Sequence, residues 1–162
     1  MTQALPVTGL DINLAARATR AVLVELLHQA GTTFPDWAVL NSIGASGGTL
    51  EYEALRDRLA AGLGADEPAI AGLLEQLRAA GLIRERSGAA GSGAVSLELT
   101  ADGDALYQRL QAAVGQLTAQ LYSGLDADDL AITRRVLLEV TQRANARLAG
   151  ARSQPGPVAG PG

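Results

Sequence analysis

The sequence predicts a mainly α fold with one small β-hairpin. Its 162 residues include 31 Ala and 26 Leu, the strongest helix formers among the apolar side chains. Apolar residues recur at spacings of three and four along most of the chain, the helical period. That period changes once, where Val95, Leu97 and Leu99 alternate with Ser96 and Glu98, as in a half-buried strand. At 48% hydrophobic residues the chain can bury a core, which excludes general disorder. It has no Cys, which excludes disulfides and thiolate metal sites. A single His excludes the usual multi-histidine metal centre. No apolar run reaches the roughly 18 residues that suggest a bilayer span, and no basic-then-apolar leader opens the chain. A soluble cytoplasmic protein of one domain, or of one domain with dimerisation extensions, is expected.

The elements follow in order. Residues 1–10 carry Pro6 and Gly9 and are expected to be a mobile N-terminus. The first helix is predicted from about Asp11 to Ala30. Ile12, Ala15, Ala16, Thr19, Val22, Leu23, Leu26, Leu27 and Ala30 give it a broad apolar face, and Gly31 suits its C-terminal cap. Thr33 and Asp36 form a capping-box pair for a second helix, with Pro35 in the first turn. Trp37, Leu40 and Ile43 share a face there, and Gly44 ends it. A glycine-rich turn leads through Thr49 and Leu50 to a third helix at about Glu51–Ala61, with Tyr52, Leu55 and Leu59 inward. Asp66 can cap a fourth helix running to Ala80, with Ile70, Leu73, Leu74 and Leu77 inside.

A hairpin then joins Leu82–Arg86 to Val95–Leu99 through the flexible turn SGAAGSG. Thr100 caps a fifth helix carrying Leu106, Leu110, Val114, Leu117 and Leu121 on one stripe. Asp126 and Asp129 mark the start of a last helix, to about Ala149. The acidic trio Asp126, Asp128 and Asp129 sits where negative charge complements the helix dipole, so capping is expected there rather than a metal. Residues 151–162, with three Pro and three Gly in the last ten, are expected to be a disordered tail.

Helices three and four followed by a hairpin make a winged helix-turn-helix, assigned here to residues 32–99. In that motif the second helix of the pair enters a major groove and the hairpin touches neighbouring DNA. The long flanking helices, residues 11–31 and 100–150, carry more apolar surface than so small a module can cover. Burial against a second copy of the chain is the economical solution.

With this order in place the sequence resembles the MarR family of bacterial winged-helix transcription regulators, over about residues 11–150. Three stretches carry the resemblance: LLEQLRAAGLI at Leu73–Ile83, VSLELTADGDALYQRL with Thr100 and Gly103 in an LT-x-x-G pattern, and the final GLDADDLAITRRVLLEV. The resemblance implies a homodimer on a pseudo-palindromic operator, usually a repressor released by a small ligand. It implies a DNA-contacting set of Thr49, Arg56, Arg58, Ala69, Gly72, Gln76, Arg84 and Arg86. For the effector it implies a pocket near the junction of the two regions, to which His28, Phe34, Trp37 and Tyr52 are assigned. Each of these four also has a plain packing or surface role open to it.

The sequence departs from the family where DNA would be read. The start of the fourth helix reads DEPAIAG, and the turn SGAAGSG stands where the family has an Asp-x-Arg signature. Residues 49–100 hold five Arg against eight acidic residues, a net of -3. Phosphate neutralisation supplies much of the affinity for DNA, so weaker binding than in a typical relative is expected. The alternative is a diverged dimer with weak or no DNA binding, acting as a ligand-binding or protein-interaction module. No nucleophile–base pair, cofactor fingerprint or paired-carboxylate setting supports an enzyme, and no cofactor is expected.

Overall fold

The computed structural model describes residues 7–87 and 95–152. The expected wing turn and C-terminal tail lie largely outside these residues, as do the first six positions. The chain divides into two units, residues 1–120 and 121–162.

In the first unit, helix α1 (Gly9–Gln29) begins earlier than expected. Thr8 and Asp11 form a reciprocal capping box, which satisfies otherwise orphaned amides at the helix start. The mobile segment assigned to residues 1–10 is therefore corrected over its last part: Thr8 is a cap and Gly9 is helical. Leu27 is the one fully buried residue of α1. Val7 and Leu10 beside its start, and Leu14, Val22 and Val24 along it, remain exposed.

Helix α2 (Phe34–Gly44) has the predicted Thr33–Asp36 box and buries Trp37, Val39, Leu40 and Ile43. Strand β1 (Thr49–Glu51) was not expected. It precedes α3 (Tyr52–Leu63), which buries Leu55 and Leu59. Gly64 closes α3 at φ 65°, a left-handed conformation that costs other residues strain. Helix α4 (Glu67–Ala79) follows after a three-residue turn and buries Ile70, Leu74 and Leu77.

Strands β2 (Ile83–Ser87) and β3 (Val95–Leu99) form the predicted hairpin. The expected two-stranded ribbon is in fact a three-stranded antiparallel sheet in the order β1-β3-β2. Thr49 pairs with Glu98 and Glu51 with Ser96 on one side of β3; Arg84 and Arg86 pair with the same two residues on the other. A three-residue strand is too short to show a period of its own, so only this cross-strand pairing reveals it. Helix α5 (Ala101–Leu121) buries Gly103, Tyr107 and Leu110. The core thus gathers Leu27, the inner face of α2, both helix-turn-helix faces, Ile83, Leu97, Tyr107 and Leu110.

The second unit carries α6 (Ala127–Arg152). The Asp126 carboxylate accepts from the amides of Asp128 and Asp129 at 2.9 and 3.1 Å, so the acidic trio begins the helix as expected. The helix runs three residues past the predicted Ala149, which moves the tail boundary beyond 151. Every residue from 131 to 150 is exposed, including Ile132, Val136, Leu137, Leu138, Val140 and Leu148. No helix among the described residues is long and apolar enough to cross a membrane.

Candidate nucleic-acid interface

The helix-turn-helix presents α4 with an exposed face of Ala69, Ala71, Gly72, Glu75, Gln76 and Ala79. These alternate at helical spacing with Ile70, Leu74 and Leu77, whose burial fixes the rotation of the helix. Three predicted contact residues, Ala69, Gly72 and Gln76, therefore lie together on one outward face. Gly72 leaves room above it, since an added Cβ would meet nothing within 4 Å. Gln76 is the one uncharged hydrogen-bonding side chain on that face. The helix start is already occupied: the Asp66 carboxylate accepts from the Ala69 amide at 3.0 Å. That amide is not free for a phosphate.

The sheet builds a second outward face. Residues two apart on a strand share a side, so the register places Thr49, Glu51, Arg84, Arg86, Ser96 and Glu98 on one face. Leu50, Leu97, Leu99 and Ile83 turn to the other, where Leu97 and Ile83 are buried. Thr49, Arg84 and Arg86, expected to touch DNA, are brought together here.

The arginines of the module are committed to internal partners. Arg56 pairs with Glu53 at 2.5 Å, Asp57 at 2.9 Å and Glu67 at 3.8 Å. Its hydrogen bond to Asp57, with these neighbouring charges, raises its pKa. Arg78 bridges Glu75 at 3.5 Å and Glu85 at 2.7 Å. Arg84 and Arg86 both hold Glu98, and the hydrogen bond from Arg84 is the main reason its carboxyl lies below the usual range. Arg58 takes a different course, donating to the Ser42 carbonyl at 3.3 Å and the Ser46 hydroxyl at 3.0 Å. It is drawn towards the C-terminal end of α2.

The four residues assigned to an effector pocket are distributed among different sites of the described residues. Phe34 and Trp37 line a cleft of about 200 Å³ between α2 and α3, with Asn41, Arg58, Leu59 and Leu63. The Arg20 guanidinium lies 4.2 Å from the centre of the Phe34 ring. Trp37 also stacks on Tyr107, centroids 6.1 Å apart, and is buried, so it anchors the core as well. Tyr52 lines a separate hollow with Leu74, Glu75, Arg78 and Glu85. Its hydroxyl donates to Glu67 at 2.9 Å, which raises its pKa, with burial contributing less. His28 is exposed in the last turn of α1 and lines neither hollow: Leu27, one helical step away, takes the inward position.

Sequence reasoning missed Glu98 and Tyr107. Glu98 was legible as an outward strand residue, but its arginine partners follow from the β2–β3 register. Tyr107 falls one residue after Leu106 on the stripe that was read, on the side that meets α2.

No protein-family model matches the chain. Solved structures do. NadR in complex with 4-hydroxyphenylacetate is 23% identical, with a TM-score of 0.70 over 86% of this chain and 97% of NadR. A mutant of MarR from E. coli complexed with operator DNA is 25% identical, with a TM-score of 0.64 over 80% of this chain and 89% of that one. The PcaV transcriptional regulator from Streptomyces coelicolor is 23% identical, with a TM-score of 0.55 over 83% of this chain and 97% of PcaV. These neighbours are MarR-family regulators, and the chain has the winged-helix fold that they share.

Proposed function

We propose that the protein is a homodimeric DNA-binding transcriptional regulator of the MarR type. The observation that carries this reading is an outward α4 face, bearing Ala69, Gly72 and Gln76, on a helix followed directly by a hairpin whose outer face bears Arg84 and Arg86, level with Thr49 of β1. A helix and a ribbon presented together are what a major groove and its flanking backbone accept. The operator-bound MarR neighbour supports the same role. Gln76 is the base-reading side chain, able to contact an adenine edge. Arg84, Arg86, Arg56 and Thr49 serve the backbone, and Arg58 joins them only by leaving Ser42 and Ser46.

Dimerisation is supported by the apolar side chains left bare on α1 and α6. Exposed apolar side chains along a helix suit an interaction site, and a second copy offers the same surfaces in return. Repression and release by a small effector complete the proposal. The complex of NadR with 4-hydroxyphenylacetate supports effector binding, and the Phe34–Trp37 cleft is the place proposed here. An effector acts by favouring one separation of the two α4 helices over another.

The ion-paired arginines favour a second reading, a dimer of this fold that has lost DNA affinity. Titrating the protein against its own upstream promoter DNA and an unrelated duplex, at low and moderate salt, separates the two. Tighter binding to the promoter that weakens with salt supports the regulator. Equal, feeble binding to both duplexes supports the second reading.

A further inference from the structure

The outer face of the sheet is built around one carboxylate. Glu98 sits on β3, the central strand, level with Thr49 on β1 and Arg84 on β2, and Arg86 lies two residues along the same face. Both of its oxygens are engaged: Oε1 accepts from Arg84 Nε and Oε2 from an Arg86 terminal nitrogen at 3.4 Å. The two guanidiniums cover it. The Glu98 side chain is 14% exposed, against 66% and 67% for Arg84 and Arg86. This is how two arginines would grip the paired oxygens of a phosphate. Glu51, on the same face, holds no arginine among the described residues. With two Arg and two Glu, the face carries no net charge.

We propose that Glu98 is an internal occupant of a phosphate-binding arginine pair, and that it sets how strongly and how salt-dependently the chain binds nucleic acid. The inference rests on the DNA-binding reading above and deepens it. An arginine that keeps its carboxylate brings no net charge to a phosphate, so it releases no counterion from the DNA. The pairs at Glu98 are reached by solvent through exposed guanidiniums. The Arg86 contact, at 3.4 Å, is the looser of the two, so Arg86 can turn to a phosphate while Arg84 keeps the carboxylate. Each protomer then presents one positive charge fewer than its arginines would supply alone. Specificity is left to the α4 face, because the backbone contribution is held low.

The test compares the full-length wild-type protein with Glu98→Gln, Glu51→Gln, and Glu98→Gln combined with Arg84→Gln and Arg86→Gln. Fluorescence anisotropy on promoter and unrelated duplexes reads affinity across a salt series. Glu98→Gln should tighten binding to both duplexes by on the order of five- to tenfold per protomer at about 0.1 M salt, and steepen the log–log salt slope by about 0.9 per protomer. Glu51→Gln, the same charge change without an arginine partner, should do much less. Removing both arginines from the Glu98→Gln protein should cancel its gain. Should Glu98→Gln fail to fold by circular dichroism, Glu98→Thr makes the same comparison with a good strand former. Equal effects of Glu98→Gln and Glu51→Gln would overturn the proposal in favour of bulk charge. Weaker binding by Glu98→Gln would overturn it too, showing that the carboxylate orients the arginines for DNA. If neither wild type nor variant binds either duplex, the DNA-binding reading itself has failed, and the clamp falls with it.

Discussion

The backbone of α5 at Gly103 touches Leu82, the residue before β2: a Cβ on Gly103 would lie 1.9 Å from the Leu82 carbonyl oxygen. Thr100 fixes this approach. Its hydroxyl donates to the Gly81 carbonyl at 2.6 Å and accepts from the Gly103 amide at 3.0 Å. Its own amide donates to Leu82 O at 3.1 Å. The LT-x-x-G pattern is thus a joint that locks the helix after the hairpin to the turn before it. Gly103→Ala should cost about 3 kcal/mol, the upper end for overpacking, because the obstacle is backbone and cannot rotate away. Gly72→Ala on the open face of α4 should instead stabilise by about 0.5–1 kcal/mol through helix propensity. Urea unfolding of the two variants checks both signs.

Leu137→Glu on α6 should turn the protein from a dimer into a monomer of 16.6 kDa with its helical content largely kept. Leu137 is exposed in the lone chain, so the substitution costs the protomer little, whereas an unpaired charge buried in the proposed interface costs much. Light scattering after size exclusion reads the mass, and circular dichroism reads the helix. A wild-type protein that is itself monomeric would remove the dimer from the account.

Two of the shifted groups give the stability a pH dependence at opposite ends. The Asp11 carboxyl lies below its ordinary range because the Thr8 hydroxyl and amide donate to it. A lowered folded pKa contributes stability above the unfolded value, lost as the pH falls through the folded one. Helix α1 should therefore lose stability in acid, and Asp11→Asn should flatten that loss. Tyr52 is shifted upwards by donating to Glu67. Its contribution is present below the unfolded tyrosine value and disappears as the pH rises through the folded one. Tyr52→Phe should remove it, at about 0.5–1 kcal/mol near neutral pH. Thermal melts across the acid and alkaline ranges measure both.

Helix positions were legible because their signals are local. Thr33 with Asp36, Asp66, Thr100 and Asp126 each cap the helix that the sequence assigned to them. Burial of Leu55, Leu59, Ile70, Leu74 and Leu77 follows from spacing alone. What the chain does not advertise is pairing across distance. β1 is too short for a period, the Arg84–Glu98–Arg86 cluster depends on hairpin register, and Trp37 meets Tyr107 across seventy positions of sequence. The effector residues were grouped by a resemblance, and the structure separates Tyr52 and His28 from Phe34 and Trp37 because helical rotation and a hydrogen bond to Glu67 decide where each points.

Arg86→Ala should weaken DNA binding while leaving the dimer intact. The loss should match the gain of Glu98→Gln, on the order of five- to tenfold per protomer at about 0.1 M salt, since Arg84 is then neutralised by Glu98 and the cluster loses its one net positive charge. It should be similar on promoter and unrelated DNA, as expected of a backbone contact. Gln76→Ala should instead reduce the preference for the promoter, by roughly 1–3 kcal/mol at the base it reads. Parallel titrations on the two duplexes distinguish the roles.

Hydroxyl-radical footprinting of the protein on its own upstream promoter tests the central claim most directly. Two copies of α4 held by a shared dimer should protect two half-sites on one face of the duplex, centred about 10–10.5 base pairs apart or a multiple of that. Protection of a single half-site, or uniform weak protection without a pattern, would contradict a paired reader.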